Sequence, residues 1–225
     1  MNEEAAETAE EVTDLISWVL NHRRVHSVFS ECQAEAFRKV LAFLVANKTQ
    51  WGTHFVAFDQ LDDLKDPMWQ AVISWRPDII SAQVGTEKNC QKTQKLEGDA
   101  NAHCELIDDG SFWRRLKSIM DDLEPIFLGL NMNQMDAMHP DQVLLTFAGI
   151  FAHFQKHPKP SIAVGMMERI EKCWKVLDQP MFVLALILNP FEGILHFGEK
   201  AAISPFTLNS ILLEVSSLQV PLVHY

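Results

Sequence analysis

The sequence is poor in the residues that form turns. It has nine glycines and ten prolines among 225 residues, fewer than the roughly 12% that these two residues supply in an average protein. A fold made of many short hairpins needs a turn every few residues. The composition therefore excludes most β-rich architectures and favours long helices.

Closely spaced cysteines and long apolar runs are also missing. The four cysteines are far apart: Cys32, Cys90, Cys104 and Cys173. Zinc knuckles and dithiol redox sites use close pairs, so neither is expected, and free thiols predict an intracellular setting. The longest apolar run, Met181–Leu188, is much shorter than the about 20 residues that a membrane-spanning helix needs.

Basic residues are scarce. Lys and Arg total 19 against 30 Asp and Glu, which gives a net charge of −11. Proteins that coat nucleic acid neutralise its phosphates with Lys and Arg, so the chain as a whole is not expected to do this. Residues 1–14 contain six acids and no base. We treat them as an acidic N-terminal segment, which is also unlike the positive start of a secretory signal.

No catalytic signature is recognisable. The glycines are isolated, so the chain has no phosphate-binding loop, dinucleotide-binding motif or nucleophile elbow. Adjacent acids such as Asp121 and Asp122 diverge by about 100° around a helix, whereas two-metal sites need carboxylates that converge. Two histidine pairs have helical spacing, His22 with His26 and His153 with His157, but no carboxylate completes a metal site. We expect no catalytic residue, metal, cofactor or small-molecule substrate.

What the sequence does contain is apolar residues three or four positions apart over nearly its whole length. This spacing places them on one face of a helix and predicts an all-α fold of about eight to ten helices with little or no sheet. One helix is predicted over residues 31–47. Another is predicted from Ser161, with Cys173 and Trp174 facing inward. Because Met181–Leu188 is apolar on every side, we expect it at the centre of the core.

The predicted helical domain covers residues 15–217 and has two irregular places. Residues 76–110 have the weakest periodicity and are predicted to form a mobile or loosely packed excursion. The next helix should be capped by Asp109 or Ser111, and Pro125 should kink or end it. A last helix is predicted over residues 205–217, followed by an apolar tail at 218–225.

Two groups of basic residues occur at helical spacing. They are Lys88, Lys92 and Lys95, and Arg169, Lys172 and Lys175. Each group could contact phosphates. An ordinary solvated helix face is the favoured interpretation of both, the second especially, because Glu168 and Glu171 alternate with it.

Three stretches resemble, in their order and spacing, transposases of the hAT superfamily in the divergent form found in fungal genomes. Residues 49–55 are similar to that family's T-R-W-x-[ST]-H-[FY] segment, and residues 113–126 to its W-x-x-L…L-E-P-I stretch. Residues 178–190 are similar to its D-Q-P-[LM]-F…L-[NH]-P block, which follows a Glu-Arg…Trp at 168, 169 and 174. The resemblance covers about residues 15–215. The motif residues are Trp51, Trp113, Pro125, Trp174, Asp178, Pro180, Asn189 and Pro190.

The resemblance implies a part of the family's plan, which joins a zinc-finger head, a ribonuclease H-like core, a large helical insertion in that core and a C-terminal dimerisation region. This chain resembles mainly the insertion. The family's two metal-binding aspartates lie upstream of the first motif, and its glutamate lies in an S-x-x-E-R motif after the third. None of these is expected here, and Gln50 replaces the usual Arg.

The resemblance therefore implies a truncated, catalytically inactive transposase-derived protein rather than an enzyme. It also implies a nuclear location, weak contact with the DNA backbone, and association with itself or with a full-length transposase. An alternative remains open: a helical protein–protein interaction module with no nucleic-acid role. In that case the contacts would be made by the Met-bearing segment at 131–139 and the apolar tail.

Overall fold

The computed structural model describes residues 3–38, 40–46, 51–136, 138–177, 179–192 and 211. Within these ranges it contains nine helices and no strand, so the predicted all-α fold is confirmed. The helices are α1 (Glu3–Asn21), α2 (Arg23–Phe37), α3 (Trp51–Asp63), α4 (Lys65–Val84), α5 (Cys90–Asp108), α6 (Gly110–Asn133), α7 (Pro140–Gln155), α8 (Pro160–Val176) and α9 (Gln179–Leu188). The predicted helix at 205–217 and the tail at 218–225 lie outside the described residues, apart from residue 211.

The chain forms two compact units, residues 1–127 and 128–225. The apolar periodicity gave no sign of this division. In the first unit the apolar stripe of α1 packs with those of α2, α3, α4, α5 and α6 in one buried cluster. Its fully buried large side chains include Leu15, Phe29, Phe58 and Phe112.

The predicted helix over 31–47 is wrong in its second half. Helix α2 ends at Phe37, and Arg38 adopts a left-handed backbone with φ of 53°. Residues 40–46 are not helical. They lie along α2 instead, because the Leu41 N–H donates to Gln33 Oε1 at 2.8 Å and the Phe43 ring meets His26 edge-on at 5.9 Å. Apolar residues in this segment are therefore partly buried without helical geometry.

The predicted excursion at 76–110 is also wrong. Helix α4 continues through Pro77 after a local kink at Trp75 and ends where Gly85 adopts a φ of 58°. Helix α5 then buries a stripe of small and apolar side chains, Ala100, Cys104 and Ile107. These lie three or four residues apart, so α5 packs closely although most of its residues are polar.

Three smaller corrections concern the later helices. Helix α6 does not end at Pro125 but runs through it to Asn133. Cys173 is exposed rather than inward-facing. In α9, Leu186 is 2% exposed, whereas Met181 is 39% and Leu188 66% exposed. Met181–Leu188 is therefore not the centre of the core, because α9 has packing partners on only part of its circumference.

Candidate functional site

Several basic residues of the first unit are already paired with acids. Arg76 binds Glu105 at 3.4 Å and Asp108 at 3.6 Å. Arg115 joins α6 to α1 through a 2.8 Å ion pair with Glu11. These guanidinium groups hold helices together, so they are poorly placed to bind an external anion.

The first predicted basic group is only partly a helix face. Lys92 and Lys95 are exposed on α5, but Lys88 precedes that helix, in the turn after α4. The backbone N–H of Lys88 donates to Glu87 Oε1 at 2.9 Å. No described residue forms an ion pair with any of these three ammonium groups.

Helix α2 brings a further basic residue close to the same turn. A guanidinium nitrogen of Arg24, Nη1, lies 3.8 Å from the position that a Cβ on Gly85 would occupy. Arg24 and its neighbour Arg23 are both exposed. We call Arg23, Arg24, Lys88 and Lys92 the basic end of the first unit. The sequence analysis missed Arg24 because its proximity to Gly85 depends on how α2 packs on α4; the adjacent Arg23-Arg24 pair was the available signal.

Backbone donors at the start of α5 are occupied by the protein itself. The Asn89 side-chain oxygen accepts hydrogen bonds from the N–H groups of Gln91 and Lys92, at 3.1 and 3.2 Å. Glu87 Oε1 accepts another from the N–H of Asn89 at 3.0 Å. These three backbone N–H groups are therefore not free to bind an anion.

The second predicted basic group lies on α8, in the second unit. Arg169, Lys172 and Lys175 are all exposed, and so are Glu168 and Glu171 between them. A spacing of three residues rotates each cation by about 60° around the helix. The three cations are therefore spread over a wide arc and interrupted by acids, which weakens them as a phosphate-contact surface.

Among the motif residues of the first unit, Trp113 has a defined structural role. It is buried, and its Nε1–H donates to the Ile107 carbonyl at 2.8 Å. The Lys65 ammonium lies 5.9 Å from the centre of the same ring. Pro125 is half-buried within α6, whereas the side chain of Trp51, at the start of α3, is outside the described residues.

In the second unit, a residue of the third motif forms hydrogen bonds just after the end of α9. Asn189 Nδ2 donates to Asp141 Oδ2 at 2.6 Å, and Asp141 is buried in the first turn of α7. Asn189 Oδ1 accepts from the Phe191 N–H at 2.9 Å. Pro180 is half-buried in the first turn of α9, and Pro190 is exposed directly after Asn189. Asp178 lies outside the described residues.

Trp174 of α8 is half-buried. Its ring lies 6.1 Å from Phe147 of α7 and 6.3 Å from Phe182 of α9. It therefore joins the three helices of the second unit, as a packing residue.

Ionisable groups with shifted pKa values do not form a catalytic arrangement. Burial, followed by repulsion from Asp63, raises the pKa of Asp59, while hydrogen bonds from Ser111 lower the pKa of Asp109, which caps α6. Burial also raises the pKa values of Cys32 and Cys104 to about 11. Thiols with such values are protonated near neutral pH and are weak nucleophiles.

No group of three His, Cys, Asp or Glu side chains in the described part of the chain is placed to hold a metal ion. Among the same residues, no helix combines the length and the apolar character needed to cross a membrane. No known protein family, curated protein or solved structure matches the chain. Its function must therefore be inferred from the residues themselves and their arrangement.

Proposed function

We propose that this chain is the helical insertion region of a hAT-type transposase-derived protein and does not itself cleave DNA. The observation that carries the proposal is the placement of the motifs on an all-helical chain. The second motif supplies buried residues of α6, including Trp113. The third motif spans α9 and includes Asn189, which bonds to Asp141. Because these motif residues have defined packing and hydrogen-bonding roles, they support a relationship to the hAT family over a chance similarity of sequence.

A cleavage assay tests the catalytic part of the proposal. Purified protein incubated with supercoiled DNA and Mg²⁺ or Mn²⁺ should leave the DNA intact, because the family's metal-binding acids do not fall within the motifs present. Cleavage that survives repurification and is abolished by Asp59→Ala would contradict the proposal. Asp59 is the informative choice, since Asp62, Asp63 and Glu124 lie close enough to affect its charge. Lys117→Ala is the matched control on the facing helix.

Within this proposal, contact with the DNA backbone is made by the basic end of the first unit rather than by α8. No ion pair is described for either group, but the cations on α8 alternate along the helix with Glu168 and Glu171. This role would place the protein in the nucleus, with a fuller transposase or a second copy as its protein partner.

Salt dependence of DNA binding separates the two basic groups. Lys92→Glu should reduce the slope of log affinity against log salt by about one, as expected for the loss of one phosphate contact. Lys172→Glu is the matched control on α8 and should leave the slope unchanged. Equal effects of both substitutions would contradict the assignment to the basic end.

The alternative function, a protein–protein interaction module, is favoured by one observation in the second unit. Leu128, Met132 and Met135 are all more than half exposed and lie at helical spacing at and beyond the end of α6. Flexible Met side chains suit adaptable contacts with protein partners. If this surface joins two copies, Met132→Glu should abolish concentration-dependent association in sedimentation experiments. A chain that is monomeric at all concentrations would count against self-association through this surface.

A further inference from the structure

One histidine of the first unit faces two hydrogen-bond acceptors. Nδ1 of His103 lies 2.7 Å from the Asp99 carbonyl oxygen one turn earlier in α5. Its Nε2 lies 3.2 Å from Oδ2 of Asp14 on α1. A neutral imidazole carries one N–H and can satisfy only one acceptor, whereas the protonated ring donates from both nitrogens.

The same ring is stacked on a buried indole that joins several helices. The His103 and Trp18 rings are nearly parallel, at 7°, with centroids 4.4 Å apart. Trp18 of α1 is buried, and its Nε1–H donates to Gln83 Oε1 of α4 at 2.5 Å. A protonated imidazole on the face of an indole also gains from the ring's negative face.

We propose that His103 is a protonation-dependent latch that holds α1, with its acidic N-terminal residues, against α5. When the ring is protonated it bridges Asp14 and the Asp99 carbonyl while stacking on Trp18. When the ring loses its proton, one nitrogen alone keeps an N–H, so the ring donates either to Asp14 or to the Asp99 carbonyl and no longer bridges the two. Asp14 and Asp99 are the charged residues among its described partners, and Gln83, from α4, is neutral. The latch is independent of the transposase proposal.

The direction in which pH changes the stability of the Asp14–His103 bridge follows from the protonation states that interact. The bridge needs an ionised Asp14 carboxylate and a protonated imidazole, because only the protonated ring donates from both nitrogens. It is therefore lost when rising pH removes the imidazole proton. Because the Asp14 carboxylate is largely exposed, we expect a modest effect, since exposed ion pairs contribute about 0.2–1 kcal/mol.

A double-mutant cycle in the full chain tests the latch. The unfolding equilibrium constants of the unmodified protein, Asp14→Asn, His103→Gln and the double variant are measured at about pH 5.5 and about pH 8, near the two ends of the range over which histidine side chains in general change charge. The coupling between the two positions should be about 1.4- to fivefold at the lower pH and should fall toward one at the higher. Equal coupling at both pH values, or none at the lower, would overturn the proposal.

His22 supplies the matched control. It also lies beside Trp18, but its Nδ1 has one described acceptor, the Trp18 carbonyl at 2.8 Å, which a neutral ring can satisfy. A cycle of Asp14→Asn with His22→Gln should show no coupling at either pH. If His103→Gln does not fold, a second measurement still tests the latch: the unfolding constant of Asp14→Asn divided by that of the unmodified protein. This ratio should be above one at the lower pH and close to one at the higher pH. The same ratio at both pH values would overturn the latch.

Discussion

The two units bury their apolar side chains to very different extents. In the first unit, the described parts of six helices and the segment at 40–46 share one buried cluster. In the second, the buried apolar side chains among the described residues are Phe154, Ala163 and Leu186. Large apolar groups of that unit remain in contact with water, such as Val176 at 85% and Phe191 at 89% exposed.

Apolar content and burial are separate properties, as α9 and α5 show. Helix α9 consists of apolar residues over Met181–Leu188 but has partners on only part of its surface. Helix α5 is mostly polar, yet one stripe of it, ending at Ile107, is completely buried. A helix is buried where neighbouring elements cover it, and the sequence of the helix alone does not specify those neighbours.

The largest expected effect comes from a matched pair of leucines, one in each unit. Leu116→Ala removes a fully buried side chain of α6 and should reduce the free energy of unfolding by about 2–5 kcal/mol, the usual cost of such a cavity. Leu184→Ala, at a half-buried position of α9, should cost less than half as much. Chemical denaturation of both variants measures the difference, and equal costs would show that the second unit is packed as tightly as the first.

The next largest change in stability is expected at a close contact between α6 and α7 in the second unit. A Cβ added at Gly129 of α6 would lie 2.8 Å from Ile150 Cδ1 and 2.9 Å from Thr146 Cγ2 on α7. Gly129→Ala should therefore destabilise by about 1–3 kcal/mol through overpacking. Gly149→Ala is the control, because a Cβ there meets nothing within 4 Å. It should stabilise α7 by up to about 1 kcal/mol, and a loss of stability in both variants would contradict the assigned contact.

Asn189 tests whether a polar contact compensates for the sparse apolar burial of the second unit. Asn189→Ala leaves the buried Asp141 carboxylate without its 2.6 Å donor, which typically costs about 1–3 kcal/mol. A thermal melt of the variant should show the loss. Asn131→Ala, at an exposed position of α6, should change stability by less than about 0.5 kcal/mol. If the two substitutions have equal effects, the Asn189–Asp141 bond does not stabilise the second unit.

The spacing of apolar residues was sufficient to predict the helical fold, but not which helices pack against one another. Apolar periodicity correctly indicated an all-α fold of about nine helices, and the Asp109 cap of α6, one of the two capping residues expected, followed from residue type. The burial of α5 and the exposure of α9 depend on which helices meet, and the proximity of Arg24 to Gly85 depends on the same packing. Spacing therefore indicated Lys88 and Lys92 of the basic end, but neither the position of Arg24 beside Gly85 nor the Asp14–His103 pair.

The smallest change in stability is expected at the end of α2, where the sign of the change shows whether the helix ends at residue 37. Apolar spacing predicts a helix continuing to residue 47, whereas the structure ends it at Phe37 with Arg38 in the left-handed region. A non-glycine residue there is strained by roughly 1–2 kcal/mol, so Arg38→Gly should stabilise the first unit by about 0.5–1 kcal/mol. If the helix instead continued through this position, glycine would destabilise it by about 1 kcal/mol. Glu31→Gly, within α2 and exposed, calibrates the destabilising case. Opposite signs for the two variants in chemical denaturation place the helix end at residue 37, because glycine is favourable only where the backbone has already left the helix.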